Sequence, residues 1–260
     1  MSLVLEPNIN HLIQQWKKNT VMTSVTLEKK GYSPQLLRRY KLSGWLESIG
    51  YGAYAIKGQK VEWAGGLYAL QTQLSLSLHP GGLTALEWSG QSHYLSLGER
   101  RVFLYGLPLK KLPLWFRKMA DSEGLIILEA GPLPHNRDET KSKNFGDYDL
   151  EYSSSEQAFL ELLYAVPKYI SFHEARQISE NLTLLRAGTL QELLERSRSI
   201  KVNRMALYLG EYFSHSWMDK LSFDRISLGA GKRVIHPNGV FDSKYGITVP
   251  PEDSEEEPYV

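Results

Sequence analysis

Gln35, Arg38, Arg39 and Lys41 fall within the single stretch SPQLLRRYK, residues 33–41. If that stretch is helical, Leu36, Leu37 and Tyr40 form one inward stripe and leave the four polar residues on or beside the outer face. An arginine can fork onto guanine O6 and N7 in the major groove, and a glutamine onto adenine N6 and N7. Each good pair contributes roughly 1–3 kcal/mol of discrimination. Lys29 and Lys30 precede this stretch, near where phosphates would lie; Lys57 and Lys60 follow it, on or after the expected wing where they can touch the flanking strand, and Tyr51 and Tyr54 lie between where sugar or base could meet them. The chemistry these residue types offer is recognition of a duplex.

Other chemistries find less support. LGAGKRVI, residues 228–235, places glycines before a lysine, as phosphate cradles do. A nucleotide loop of the G-x-x-x-x-G-K-S/T kind needs a hydroxyl where Arg233 stands, and its first glycine is misplaced here. The stretch reads instead as a basic turn whose Lys232 and Arg233 can touch an anion. No two of His11, His79, His93, His135, His173, His215 and His236 lie three or four apart on one helix, the spacing a helical zinc site requires. No G-x-S-x-G elbow is present. Asp147, Asp149 and Glu151 alternate on an expected strand, but no Glu-x-Lys follows. Alternating acids of this kind guard a sheet edge, and a metal-dependent nuclease is the lesser alternative. With no cysteine in 260 residues, thiolate metal sites, disulfides and thiol nucleophiles are excluded. The expectation is a protein without catalytic residues, cofactor or metal.

The elements that must position the recognition residues can be read directly. Ile9, Leu12, Ile13 and Trp16 recur at helical spacing. Thr23 caps a short helix, TSVTLEKKG, with Val25 and Leu27 inward and Gly31 as its stop. Ser33 followed by Pro34 opens the next helix, which ends at Gly44. Trp45, Leu46, Ile49, Tyr51, Tyr54 and Ile56, with Gly50, Gly52 and Gly58 near the bends, read as two short strands and a tight turn. Helix, short helix, turn, helix and ribbon is the order of a winged helix-turn-helix, expected over residues 1–60.

Charge agrees with that division. Residues 1–60 carry nine Lys/Arg against three Asp/Glu, whereas residues 61–250 carry 21 of each, and the last ten residues, PEDSEEEPYV, carry five acids and no base. The excess favours a polyanion partner for the first segment alone. With 42% hydrophobic and 23% charged residues the remainder, 61–250, can bury a core of its own. It reads as mixed α and β, with helices at WAGGLYALQTQL and GGLTALEW, buried strands at RVFLYG and LIILEA and a third at YDLEYS. From 153 onward helices dominate. Ser153/Glu156, Ser171/Glu174 and Thr189/Glu192 fit capping boxes. The stretch PLPHNRDETKSKNFGD, 132–147, reads as an exposed loop, and 251–260 as a solvated acidic tail. No apolar run of about 18 residues exists to span a bilayer, and the first residues lack a basic n-region, so the expectation is a cytoplasmic protein with no membrane partner. The fold class is therefore α+β: a winged helix-turn-helix and a larger mixed domain with a helical C-terminal half.

Beyond these patterns, TSVTLEKKGYSPQLLRRYKLSGWLESIGYGAYAI, VEWAGGLYALQTQL, GGLTALEWSGQSHYLSLGERRVFLYG, LPLWFRK, SSSEQAFLELLYAVPK, SIKVNRMALYLGEYFSHSWMDKL, GAGKRVI and KYGITVP, in that order, resemble the landmarks of the AbiEi antitoxin family. The resemblance implies a winged-helix domain that binds and represses the operon's own promoter, with inverted repeats as its duplex DNA target. It also implies a C-terminal domain, 61–250, that counteracts a nucleotidyltransferase-like toxin without forming a stable complex. Carried onto this chain, the DNA-contacting set is Lys29, Lys30, Ser33, Gln35, Arg38, Arg39, Lys41, Tyr51, Tyr54 and Lys57. Arg198, Lys201, Arg204, Lys232 and Arg233 are the antitoxin candidates. The alternative is an interaction module that holds the toxin directly.

Overall fold

The computed structural model describes residues 8–91, 101–134 and 140–251. His93, His135 and residues 252–260 of the acidic tail lie outside the described residues. The chain forms two compact units. The first comprises 1–79, 107–125 and 142–151; the second comprises 80–106, 126–141 and 152–260. The fold class is α+β. Among the described residues, no helix is long and apolar enough to cross a membrane.

The first unit opens with α1 (Ile9–Gln15), β1 (Met22–Thr23), α2 (Ser24–Lys29), α3 (Pro34–Leu42), β2 (Leu46–Gly50) and β3 (Ala53–Ile56). The three strands form an antiparallel sheet in the order β1-β3-β2, which is the winged helix-turn-helix arrangement. Two side-chain caps set α2 and α3: Thr23 accepts from the Thr26 amide and Ser33 from the Leu36 amide, with Pro34 as the first helical residue. Gly31, at φ +89, supplies the left-handed turn that separates the helices. Leu12, Trp16, Leu27, Leu37, Tyr40 and Leu46 close the small core, and each large apolar side chain withdrawn from water contributes roughly 1.5–3 kcal/mol. Val25 faces out, 49% exposed, contrary to the expected inward position. With only six residues in α2, Leu27 alone turns to the core.

This unit continues past residue 60. In α4 (Trp63–Thr72) a Cβ on Gly65 would lie 1.9 Å from the Asn19 carbonyl oxygen, so the glycine pair of WAGGLY lets the helix pack on bare backbone. Just past the helix, Gln73 Oε1 accepts from the Thr23 amide at 2.8 Å while its Nε2 donates to the Val21 carbonyl at 2.8 Å. A helix that the sequence reading did not identify, α6 (Leu114–Ser122), buries Trp115, Phe116 and Met119 and lies against the hairpin, where a Cβ on Gly50 would meet Trp115 Cβ at 2.6 Å. Part of the expected loop 132–147 is strand: β7 (Lys141–Asn144) pairs with β8 (Asp149–Tyr152). In the polar stretch KSKN only the backbone ladder, not side-chain burial, specifies a strand.

After β4 (Leu78–Pro80), the second unit carries α5 (Gly82–Trp88) and the parallel pair β5 (Phe103–Gly106) and β6 (Ile126–Glu129). Around α7 (Ser155–Ala165), which is buried on nearly every side, pack α5, α8 (Phe172–Glu180), α9 (Ala187–Arg196) and α10 (Ile200–Tyr212). The expected capping boxes are only partly realised. Ser154, one residue later than expected, caps α7, and Ser153 is buried, donating to Glu161 Oε2 at 2.7 Å. Ser171 does cap α8, but the Glu174 carboxylate pairs with Arg101. Thr189 lies inside α9, which starts at Ala187. Glu156 turns to Arg186, whose Nη2 donates to it at 2.9 Å. The end of the expected helical half is a sheet: β9 (Arg233–Val234) runs parallel to β11 (Ile247–Val249), which pairs antiparallel with β10 (Val240–Asp242). These strands have two or three residues each, too few for a visible period of two.

Candidate nucleic-acid interface

The positioning of α3 follows from its sequence. Its inward stripe, Leu37 at 1% and Tyr40 at 7% exposure, fixes the helix's rotation, and Ser33 with Pro34 fixes its start. At its end Gly44, φ +75, reverses the chain and the Trp45 amide donates to the Tyr40 carbonyl at 3.0 Å. With both ends and one face held, Gln35, Arg38, Arg39 and Lys41 are all exposed. Among the described residues neither arginine makes an ion pair. Their guanidinium donors are directed to solvent in a helix narrow enough for the major groove.

The hairpin stands beside this helix. Its register pairs Leu46 with Ile56 and Gly50 with Ala53, leaving Tyr51 and Gly52 as a two-residue turn. Gly52 takes φ +72, and its carbonyl accepts from the Ser24 amide at 2.9 Å, tying the short wing to the start of α2. Tyr51 projects fully into solvent. Tyr54 instead packs partly against the first unit's core, opposite Met22 and Ser48, so the two wing tyrosines have different environments. Lys29 and Lys57 are exposed, and the Lys57 amide donates to the Trp45 carbonyl at 3.0 Å. Lys30, also exposed, reaches Gln15 Oε1 at 3.3 Å. Ser33 serves as a cap. Lys60 pairs with Glu62 at 2.7 Å, and that hydrogen bond, with the carboxylate's charge, raises its pKa.

Sequence reasoning missed two exposed apolar side chains on this surface, Leu42 at 80% and Trp45 at 47%. The signal was available for Leu42, which falls off the stripe of Leu37 and Tyr40; Trp45 reads only as the first residue of a short strand.

The candidates in the second unit divide differently. Arg204 is buried at 4% exposure, its guanidinium donating to the carbonyls of Leu228, Gly229, Gly231 and Gly246. The Lys201 ammonium donates to the Tyr164 and Val166 carbonyls near the end of α7, and burial pushes its pKa down to about 8. Both side chains brace the fold. Arg198 is exposed, donating to the Gly131 carbonyl. Lys232 and Arg233 are exposed, with the Lys232 ammonium 4.4 Å from the Phe241 ring centre. The acids considered for nuclease chemistry do not converge. Asp147 accepts from the Lys18 amide and Asp149 from the Asn144 side chain, while Glu151 points outward on β8. Among the described residues, no group of three or more His, Asp or Glu could hold a metal ion.

Comparison with known proteins bears on the whole chain. Residues 5–97 match the family described as "Transcriptional regulator, AbiEi antitoxin N-terminal domain". Residues 99–250 match "Transcriptional regulator, AbiEi antitoxin, Type IV TA system". The crystal structure of the RV2827C protein from Mycobacterium tuberculosis is similar in fold, with a TM-score of 0.60 at 14% identity, covering 93% of this chain and 89% of that one. Among curated proteins none matches.

Proposed function

Since this chain belongs to the AbiEi antitoxin family, the transcriptional regulators of type IV toxin–antitoxin systems, we propose that α3 and the short wing bind the promoter of its own operon and repress it. The observation that carries this reading is the pair Arg38 and Arg39, exposed and unpaired on a helix whose other face is locked into the core. Lys29, Lys30, Lys41 and Lys57 supply phosphate contacts that fix register without reading sequence, and Gln35 with one arginine reads base edges. Tyr51 lies against the sugar–phosphate strand at the wing. Two copies on inverted repeats would place two such helices on one face of the duplex. The second unit counteracts a nucleotidyltransferase-like toxin through its exposed basic residues, Arg198, Lys232 and Arg233, with no stable complex and no catalytic step of its own. The protein acts in the cytoplasm, where promoter and toxin are both found. The domain reading that goes with this is a DNA-reading part within 1–60 and an antitoxin part within 61–250.

The test is a mobility-shift titration on the operon's promoter. Arg38→Ala with Arg39→Ala should weaken binding by roughly 2–6 kcal/mol, at least about thirtyfold. Wild-type log affinity should fall with log salt at a slope of about −0.9 per phosphate contacted. An unchanged shift in the double variant would remove α3 from the groove. A stable complex with the toxin in gel filtration would replace the second half of the proposal with direct capture.

A further inference from the structure

Leu42 is 80% exposed at the end of α3, whereas Leu36, Leu37 and Tyr40 of the same helix turn toward the core. At about 100° per residue, Leu42 stands about 160° round the axis from Tyr40, about 20° from Gln35 and about 40° from Arg38. Gln35, Arg38, Arg39 and Leu42 therefore follow one another at i, i+3, i+4 and i+7, the spacing by which a recognition helix shows one face to the groove. All four are exposed. The leucine lies in the middle of that face, not at its edge, and so exposed a side chain draws almost nothing from the burial that makes a core leucine stabilising.

Its surroundings are cationic. Arg38, Arg39 and Lys41 share the second half of α3, and the Lys57 ammonium of the wing stands over the helix end, 3.6 Å from where a Cβ on Gly44 would lie. Among the described residues none of these four makes an ion pair. An apolar protein surface seated on Leu42 would strip water from these charges and put nothing in its place, whereas a duplex brings phosphates to them. Within the major groove most of what a base edge offers is polar and answers arginine or glutamine. The apolar group there is the C5-methyl of thymine. Against any other edge the leucine would bury a donor or acceptor without a partner.

We infer that Leu42 is a specificity-determining residue that packs on a thymine methyl of the operator, an inference that rests on the placement of α3 in the groove proposed above. Seven residues of helix advance about 10 Å, and base pairs rise about 3.4 Å each, so this thymine lies about three base pairs from the base that Gln35 meets.

Promoter duplexes in which each thymine in turn becomes deoxyuridine decide the matter, because deoxyuridine keeps every hydrogen-bonding group and lacks only the methyl. One replacement in each half-site should weaken binding of the full-length protein about fourfold, the value of one buried methyl. Leu42→Ala should bind that duplex and the unsubstituted promoter equally, with its denaturation midpoint unchanged, and Leu42→Met should keep the thymine dependence. Arg38→Ala with Arg39→Ala separates this inference from the reading beneath it. If that variant binds the promoter weakly but no deoxyuridine position distinguishes wild type from Leu42→Ala, the inference is overturned and α3 stays in the groove; if that variant binds normally, both go. A Leu42→Ala protein that loses self-association in gel filtration while keeping the wild-type deoxyuridine profile would make Leu42 a contact between copies of the chain, and would also overturn the inference.

Discussion

Arg38 and Arg204 are the same residue type on two helices, and the two units use them in opposite ways. In the first unit α3 has one apolar stripe and an open outer face, so a guanidinium there meets water and has its donors free. In the second unit Arg204 is flanked in α10 by Asn203, Met205, Ala206 and Leu207, all fully buried. Its side chain therefore has no route to solvent except beneath the glycine-rich loop, whose carbonyls accept its fork. A count of basic residues treats the two alike. What separates them is whether the helix around the arginine is apolar on one side or on all sides.

That contrast can be broken most forcefully at Arg204. Arg204→Ala strands four carbonyls that now share one guanidinium, and should cost about 3–5 kcal/mol in a denaturant titration. Arg38→Ala should change stability by no more than about 0.5 kcal/mol while weakening promoter binding. Equal losses at the two sites would mean that α3's arginine also serves the fold. A smaller effect is expected at Gln73. Its side chain satisfies the Thr23 amide and the Val21 carbonyl, so Gln73→Ala should destabilise by about 1–3 kcal/mol. A neutral result would mean that the winged helix is energetically self-sufficient within residues 1–60.

Much of the first unit was legible because its signals are local. Thr23, Ser33-Pro34, Gly31 and Gly44 act within three or four residues of where they stand, and each does as the sequence indicates. Three features failed for an equally physical reason. The unit's true extent depends on Gln73 and on the bare backbone beneath Gly65, contacts across some fifty residues that no periodicity reveals. The boxes at Ser153 and Thr189 matched a pattern that tertiary contacts override: Arg186 recruits Glu156, and α9 already begins at Ala187, two residues before Thr189. The closing sheet of β9, β10 and β11 has strands too short to carry alternation. The same limit applies to the candidate site. Exposure of Gln35, Arg38, Arg39 and Lys41 followed from the α3 stripe, but Tyr51 and Tyr54 could be told apart only once the register was known.

Lys201 provides the gentlest probe of the comparison, because it is a cation of the second unit held where water is scarce. Its ordinary pKa of 10.5 falls to about 8 through burial, with two backbone carbonyls and, among the described residues, no carboxylate as partners. A lysine whose folded pKa is depressed binds fewer protons in the native state than in the unfolded state between pH 8 and 10.5. Stability must therefore rise with pH through that window, by at most about 1.4 kcal/mol per unit. Buried tyrosines act in the opposite sense only higher up: burial lifts Tyr148 to about 12, so its contribution is lost above its unfolded value near 10. Measured from pH 7.5 to 9.5, wild-type stability should climb by about 2 kcal/mol relative to Lys201→Met, which has no proton to release. Parallel pH profiles for the two proteins would show that the ammonium reaches water freely, and the distinction between outward cations on α3 and inward cations on α10 would then rest on Arg204 alone.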